Sequence, residues 1–263
     1  MPSRGDVLCA GGAGFVTALI GTLAGSGSTA QAQSLGPNIP EVDGLAVRMV
    51  TDNEVIQFVP SEKRAGLTIE RRGGNTAPNV PPHAALAGEW GLSMHAQSQR
   101  GAEVRNVIVD FGYTSETLLN NMSILQIDPA GFDALVLSHG HYDHFGGMVG
   151  FLSANKGKLK KKLPLFVGGE DAFCARENPL GDFGALDRQA IMDANLALMM
   201  APGPAVVADH AFTTGKIAQV SGEKPLPATS EKIGIVNGHG CYPDKMSAAK
   251  NTAKAHTVSF ATQ

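Results

Sequence analysis

Net charge is nearly absent from this sequence. Lys and Arg number 21 against 24 Asp and Glu, which leaves −3 at pH 7. Basic residues gather only locally, as at Lys160-Lys161-Lys162. Such a balance gives no electrostatic footprint for nucleic acid or an acidic membrane surface, and the lysine triplet reads as a solvated turn. Cysteine is scarce as well. Cys9 lies in a stretch expected to be removed, and the remaining pair, Cys174 and Cys241, makes no disulfide framework. One bridge between them is open in an oxidising compartment, and neither sits in a C-x-x-C pair of the zinc type. No internal repeat is present. Apolar material is plentiful: 43% of the 263 residues are hydrophobic and 17% charged, an ordinary globular composition.

The first 32 residues read as an export signal. Arg4 precedes a run from Val7 to Gly25 with no charge, and Ala30-Gln31-Ala32 forms a small-x-small cleavage site. Five glycines dilute the run, so cleavage is the expectation and no membrane anchor remains afterwards. Ser3-Arg4-Gly5-Asp6-Val7-Leu8 resembles a twin-arginine signal with Gly5 in place of the second arginine, which leaves that route and the general secretory one both open. Either implies a periplasmic or exterior location.

Residues 33–43 read as a linker and 44–220 as one domain. Leu45–Val50 and Val55–Val59 are expected to form a hairpin around Thr51-Asp52-Asn53-Glu54. Leu92, Met94 and Ala96 alternate with Ser93, His95 and Gln97, a half-buried strand with His95 facing solvent. Val107-Ile108-Val109, Ala134–Leu137 and Leu165-Phe166-Val167 are unbroken apolar runs, as strands covered on both faces should be. Helices are expected from Ser115, capped by Thr114 and stopped by Asp128-Pro129, from Met148, and from Leu186 to Leu198. Ala205-Val206-Val207 reads as a strand, and residues 221–263 as an irregular tail with one strand at 233–236. Strands alternating with helices indicate an α/β or mixed-sheet protein.

Four metal-type side chains crowd into Ser138-His-Gly-His-Tyr-Asp-His-Phe-Gly-Gly147, namely His139, His141, Asp143 and His144. Residues two apart in an extended segment point the same way, so His139 and His141 can share one ion. The following turn redirects Asp143 and His144 toward a second. Gly146 and Gly147 let the backbone turn without a Cβ clash. Imidazole with carboxylate suits Zn2+, with Fe2+ or Mn2+ also compatible.

This H-x-H-x-D-H pattern resembles the metallo-β-lactamase fold superfamily. Asp110-Phe111-Gly112 stands where that superfamily has a strand-ending D-x-G, and Leu135–Gly147 follows the fuller form of its loop. Gly140 and Tyr142 are typical of a branch related to the dihydropterin–ribofuranosyl-aminobenzene-phosphate synthases. Glu89-Trp90-Gly91-Leu92-Ser93 and Thr214-Gly215-Lys216-Ile217 are similar to two further segments of that branch, with Trp90 and Lys216 as departures. The resemblance implies an αβ/βα sandwich and a two-metal hydrolase acting on a small molecule. His139 and His141 would bind one ion, Asp143 and His144 the other, with Asp143 the candidate catalytic carboxylate. Paired ions make hydroxide available near neutral pH. Asp110 would fix a ligand histidine through its other nitrogen.

The resemblance also implies later histidines in C-S-H and G-F-H segments, and neither segment occurs here. About 46 residues follow Ile217, too few for a second sheet half. A shortened fold holding the N-terminal sheet half and its helices is therefore expected, with weak metal binding and little turnover. His210 and His239 are the remaining candidate ligands, each reading more simply as a non-ligand, and His256 falls in the tail. Two alternatives stay open: a non-catalytic exported protein that binds a metal or ligand, and a site completed by a second chain in a dimer.

Overall fold

The computed structural model describes residues 30–31, 39–56, 59–72, 79, 81, 83–215, 230–246, 258–259 and 261–262. It is a mixed α/β protein built on a seven-stranded sheet. The strands are β1 (Ala30–Gln31), β2 (Gly44–Thr51), β3 (Ser93–Arg100), β4 (Glu103–Val109), β5 (Ala134–Leu137), β6 (Pro164–Val167) and β9 (Ala197–Met200). Their spatial order is β1-β9-β6-β5-β4-β3-β2. β2, β3 and β4 pair antiparallel, whereas β4, β5, β6, β9 and β1 run parallel.

Two cores explain the unbroken apolar runs. Ile108, Leu135, Leu137, Leu165 and Val167 face one side, where α1 (Ser115–Ile124) and α3 (Met148–Ala154) bring Leu118, Met122, Met148 and Phe151. Val107, Val109, Ala134, Val136 and Phe166 face the other, covered by the hairpin β10 (Ala205–Val207) and β11 (Ala211–Thr213). Adjacent residues of a strand point to opposite faces, so a strand with two covered faces has no polar positions to alternate. Thr114 caps α1 as expected, its side chain accepting from the Thr117 N–H.

Several expectations are corrected. β2 pairs with β3 rather than with a strand at 55–59: Glu54–Ile56 have no regular structure, and residues 57–58 lie outside the described ones. The helix expected over 186–198 is only α4 (Arg188–Asp193), because Asn195 takes φ +55 and the chain turns into β9. Leu198 is thus a strand residue paired with Leu165. His95 is buried, not solvent-facing. Its Nδ1 meets Arg48 at 3.2 Å and its Nε2 meets Asn106 at 3.1 Å, so polar neighbours satisfy it inside.

Beyond the sheet, β7 (Ala175–Asn178) is flanked by β8 (Gly181–Gly184) and β12 (Ser230–Lys232), which draws the expected irregular tail onto the body. The strand expected at 233–236 is only Ile235–Val236, which pairs with His239–Gly240. Cys174 and Cys241 form a disulfide with Cα atoms 4.5 Å apart. Lys160 is exposed and pairs with Asp133 at 2.7 Å. The export reading covers residues outside the described ones, apart from Ala30 and Gln31 at the sheet edge. No described helix is long and apolar enough to cross a membrane.

Candidate functional site

β4 and β5 run parallel and deliver Asp110 and Ser138 side by side at their C-terminal ends. The histidine loop leaves from there through α2 (Tyr142–Phe145). Four glycines clamp it where a side chain would strike backbone. A methyl at Gly140 would collide with the Ala172 carbonyl, at Gly146 with that of Tyr113, at Gly147 with that of Phe111, and at Gly91 with that of Asp143. Backbone hydrogen bonds complete the clamp. Phe111 N–H donates to His144 O at 2.7 Å, and Leu92 N–H donates to Asp143 O at 3.2 Å. Gly140 and Gly91 therefore serve close approach, beyond the turn freedom that a sequence suggests.

Asp110 is fully buried and takes φ +62, a left-handed conformation that Asp tolerates through local hydrogen bonds. Its Oδ1 accepts from Ser138 N–H at 2.7 Å. Its Oδ2 accepts from Ser138 Oγ at 2.6 Å and lies 2.7 Å from His144 Nδ1. A carboxylate only accepts, so His144 carries the proton on Nδ1 and presents its Nε2 lone pair. That Nε2 lies 3.6 Å from Asp143 Oδ2. Ser138 gives its single hydroxyl proton to Asp110, so its contact of 3.0 Å with His139 Nδ1 must be received from the ring. The network thus assigns both His139 and His144 the same tautomer.

The rings of His139 and His141 have centroids 4.4 Å apart, and those of His139 and His144 are 4.2 Å apart. The loop gathers three imidazoles and the Asp143 carboxylate on one rim. Burial disfavours the charged form of His144, but the Asp110 hydrogen bond and the charges of Asp110 and Asp143 outweigh it and raise its pKa. His141 is pushed down, first by burial and then by the Arg176 guanidinium, against Asp143. A neutral imidazole is the form that ligates a metal, so the shift at His141 favours ligation and the shift at His144 opposes it. By donor type, imidazole with carboxylate fits a divalent ion. Among the described residues, no group of three or more His, Cys, Asp or Glu is arranged to hold one.

The other candidates lie elsewhere. His210 is fully buried between Ser98 Oγ at 3.0 Å and Glu103 Oε2 at 3.4 Å. Glu103 opens β4 and Asp110 follows its end, so the two sites are about 20 Å apart at strand rise. His239 is half exposed, with Asp187 at 3.9 Å. His256 lies outside the described residues. Three contributors were not singled out from sequence. Ser138 links Asp110 to His139, and its place in the quoted loop was the available signal. Glu89 accepts from Tyr113 N–H at 3.0 Å and from Thr114 N–H at 2.8 Å, bracing the turn after Asp110. Arg176 donates through Nη1 to Gly140 O, and nothing in its neighbourhood of the sequence announced that contact.

Comparison with known proteins finds a family match over this region. The family model described as metallo-beta-lactamase superfamily matches residues 102–161. A curated relative from Methanocaldococcus jannaschii, named 7,8-dihydropterin-6-methyl-4-(beta-D-ribofuranosyl)-aminobenzene-5'-phosphate synthase, is 32% identical over 79 residues. That alignment covers 30% of this chain and 26% of the relative. Among solved structures, the metallo-beta-lactamase fold protein YhfI from Bacillus subtilis is 19% identical, with a TM-score of 0.34 over 72% of this chain and 57% of that one. A quorum-quenching N-acyl homoserine lactone lactonase is 12% identical, with a TM-score of 0.33 over 67% of this chain and 64% of that one. The residues matched by that family model, 102–161, hold β4, β5 and the histidine loop, and the chain spans about a quarter of the length of the curated relative.

Proposed function

We propose that the histidine loop is the metal-binding half of a hydrolase site, with His139 and His141 as ligands of one divalent ion and Asp143 and His144 as ligands of a second. The observation that carries this reading is the Asp110–His144 contact of 2.7 Å, which turns the His144 Nε2 lone pair outward. Ser138 extends the same control to His139. Bound divalent ions, Zn2+ by donor type, would supply Lewis-acid polarisation of the scissile bond and acidify water. The 3.6 Å between Asp143 Oδ2 and His144 Nε2 supports Asp143 as the proton acceptor, with Asp110 holding the His144 ring. The substrate is a small molecule. The relative's name suggests a pterin-type compound, whereas export fits poorly with cofactor synthesis. The Cys174–Cys241 disulfide supports an oxidising, periplasmic location.

A second reading is an exported metal-binding protein without turnover. Purified protein should be assayed for bound metal and for hydrolysis of phosphoesters and lactones, before and after chelation. Chelator-sensitive turnover supports the hydrolase. Metal bound without turnover supports the second reading, and no metal at all removes both.

A further inference from the structure

We propose that Arg176 is the positioning residue of the His139-Gly140-His141 turn, and that the Cys174–Cys241 disulfide holds Arg176 to that task. Arg176 lies in β7 and is 4% exposed. One arm of its guanidinium donates to the Gly140 carbonyl, between the two histidines, and the other donates to Glu231 Oε1 at 2.9 Å. The planar fork of arginine makes both bonds from one rigid group, which a lysine ammonium on a flexible stem does not reproduce. Glu231 supplies the countercharge without which the buried cation would be destabilising. It is also the cross-strand partner of Arg176 in the β7–β12 ladder.

Gly140 is held from the same side by the backbone. The space where its side chain would stand is filled by the Ala172 carbonyl and by Arg176 itself. Cys174 lies between these two residues, fully buried, and its disulfide reaches Cys241 across 67 positions of sequence. A second clasp lies alongside. Glu170 receives the Arg188 guanidinium and the Tyr242 N–H, the latter at 2.7 Å, while Arg188 stacks over Phe173 at 3.5 Å. The buttress beneath the turn is therefore assembled from residues 170–176, 230–232 and 239–242, tied by one covalent bond. A dithiol passes two electrons and two protons to the sulfur pair, breaks the S–S bond, leaves two thiols and is itself oxidised to a disulfide. After that exchange, β7 is joined to β12 by a ladder of three residue pairs, with the buried Arg176–Glu231 ion pair and the exposed Lys232–Glu177 pair. The grip on Gly140 then slackens. The consequence for metal rests on the metal-site reading above; the positioning of the turn does not.

Hydrogen exchange read by mass spectrometry on metal-free protein tests the positioning directly. Reduction by dithiothreitol, or Arg176→Met, should speed exchange over residues 138–144 by about tenfold while leaving α1 unchanged. Their combination should be no faster than either alone, and Arg176→Lys should fall between Arg176→Met and the native protein. Equal acceleration of α1, or effects of reduction and Arg176→Met that multiply, would overturn the proposal. Reduction replaces no residue, so the test stands even where Arg176→Met does not fold. Zn2+ affinity by chelator competition is the second arm, with a loss of about tenfold expected for the same states. Failure of the oxidised native protein to bind Zn2+ would overturn the metal reading, and the exchange data would still decide the positioning role.

Discussion

Two histidines of this chain are each held by a serine and a carboxylate, and they end in opposite situations. His144 meets Asp110 at 2.7 Å with Ser138 at 3.4 Å, and His210 meets Glu103 at 3.4 Å with Ser98 at 3.0 Å. At the first, the carboxylate is 1% exposed and the ring 16%; at the second, the ring is 0% exposed and the carboxylate 54%. Burying the acid and leaving the ring partly open ties Nδ1 and frees Nε2 for another partner, here on a rim shared with His139, His141 and Asp143. Burying the ring and leaving the acid in water consumes both nitrogens. His210 is then a pin that fastens the β10–β11 hairpin to β3 and β4. The same three groups, imidazole, hydroxyl and carboxylate, leave a ring nitrogen available or fasten the fold according to which member is buried.

The largest effect should come from removing the buried acid. Asp110→Ala removes the carboxylate acceptor of His144 Nδ1 and of two Ser138 donors, and urea denaturation should show a loss of about 3 kcal/mol. Glu103→Ala should leave the midpoint near that of the native protein, because the acid is exposed. Equal losses at the two positions would break the comparison. Gly140→Ala, which drives a methyl into the Ala172 carbonyl, should cost about 2 kcal/mol in the same measurement. Ser98→Ala should cost about 1 kcal/mol and leave Zn2+ binding untouched, since it loosens only the fastener.

The smallest effect is in pH dependence. Burial, aided by the Arg48 charge and opposed by the Asn106 hydrogen bond, holds the His95 pKa below its usual value. The unfolded chain therefore binds that proton first, and stability should fall as pH drops from about 6.5. His144 has the opposite sign. Its raised pKa gives a contribution complete below about 6.5 and lost as pH rises through the folded value. Urea midpoints of metal-free protein between pH 5 and 8 should show the acid-side slope flatten in His95→Gln and the upper slope flatten in His144→Gln.

Much of the central sheet was legible because double burial leaves a plain signature. Ala134–Leu137 appears at its observed bounds, and the Val107–Val109 run is the buried end of β4. Thr114 and the histidine loop were legible because caps and ligand clusters are local. Pairing was not local. β2 finds β3 more than forty positions along the chain, so a nearer apolar stretch at 55–59 looked like its partner. Ala190, Ile191 and Ala194 do suit a helix, but Asn195 ends it, and Leu198 shares the helical spacing while lying in a strand. His95 was misread because a polar strand face normally meets water, whereas here Arg48 and Asn106 satisfy it within the protein. Arg176 stands 36 positions from Gly140 and 55 from Glu231, and meets both only in three dimensions.

The central claim is that the half-open histidine, and not the sealed one, belongs to a metal site. Zn2+ titration of the metal-free protein against a chromophoric chelator, with His144→Ala and His210→Ala in parallel, tests it most directly. The account predicts saturable binding of two equivalents, of which His144→Ala removes one and His210→Ala neither. Two equivalents retained in His144→Ala, or any lost with His210→Ala while the fold is kept, would contradict it.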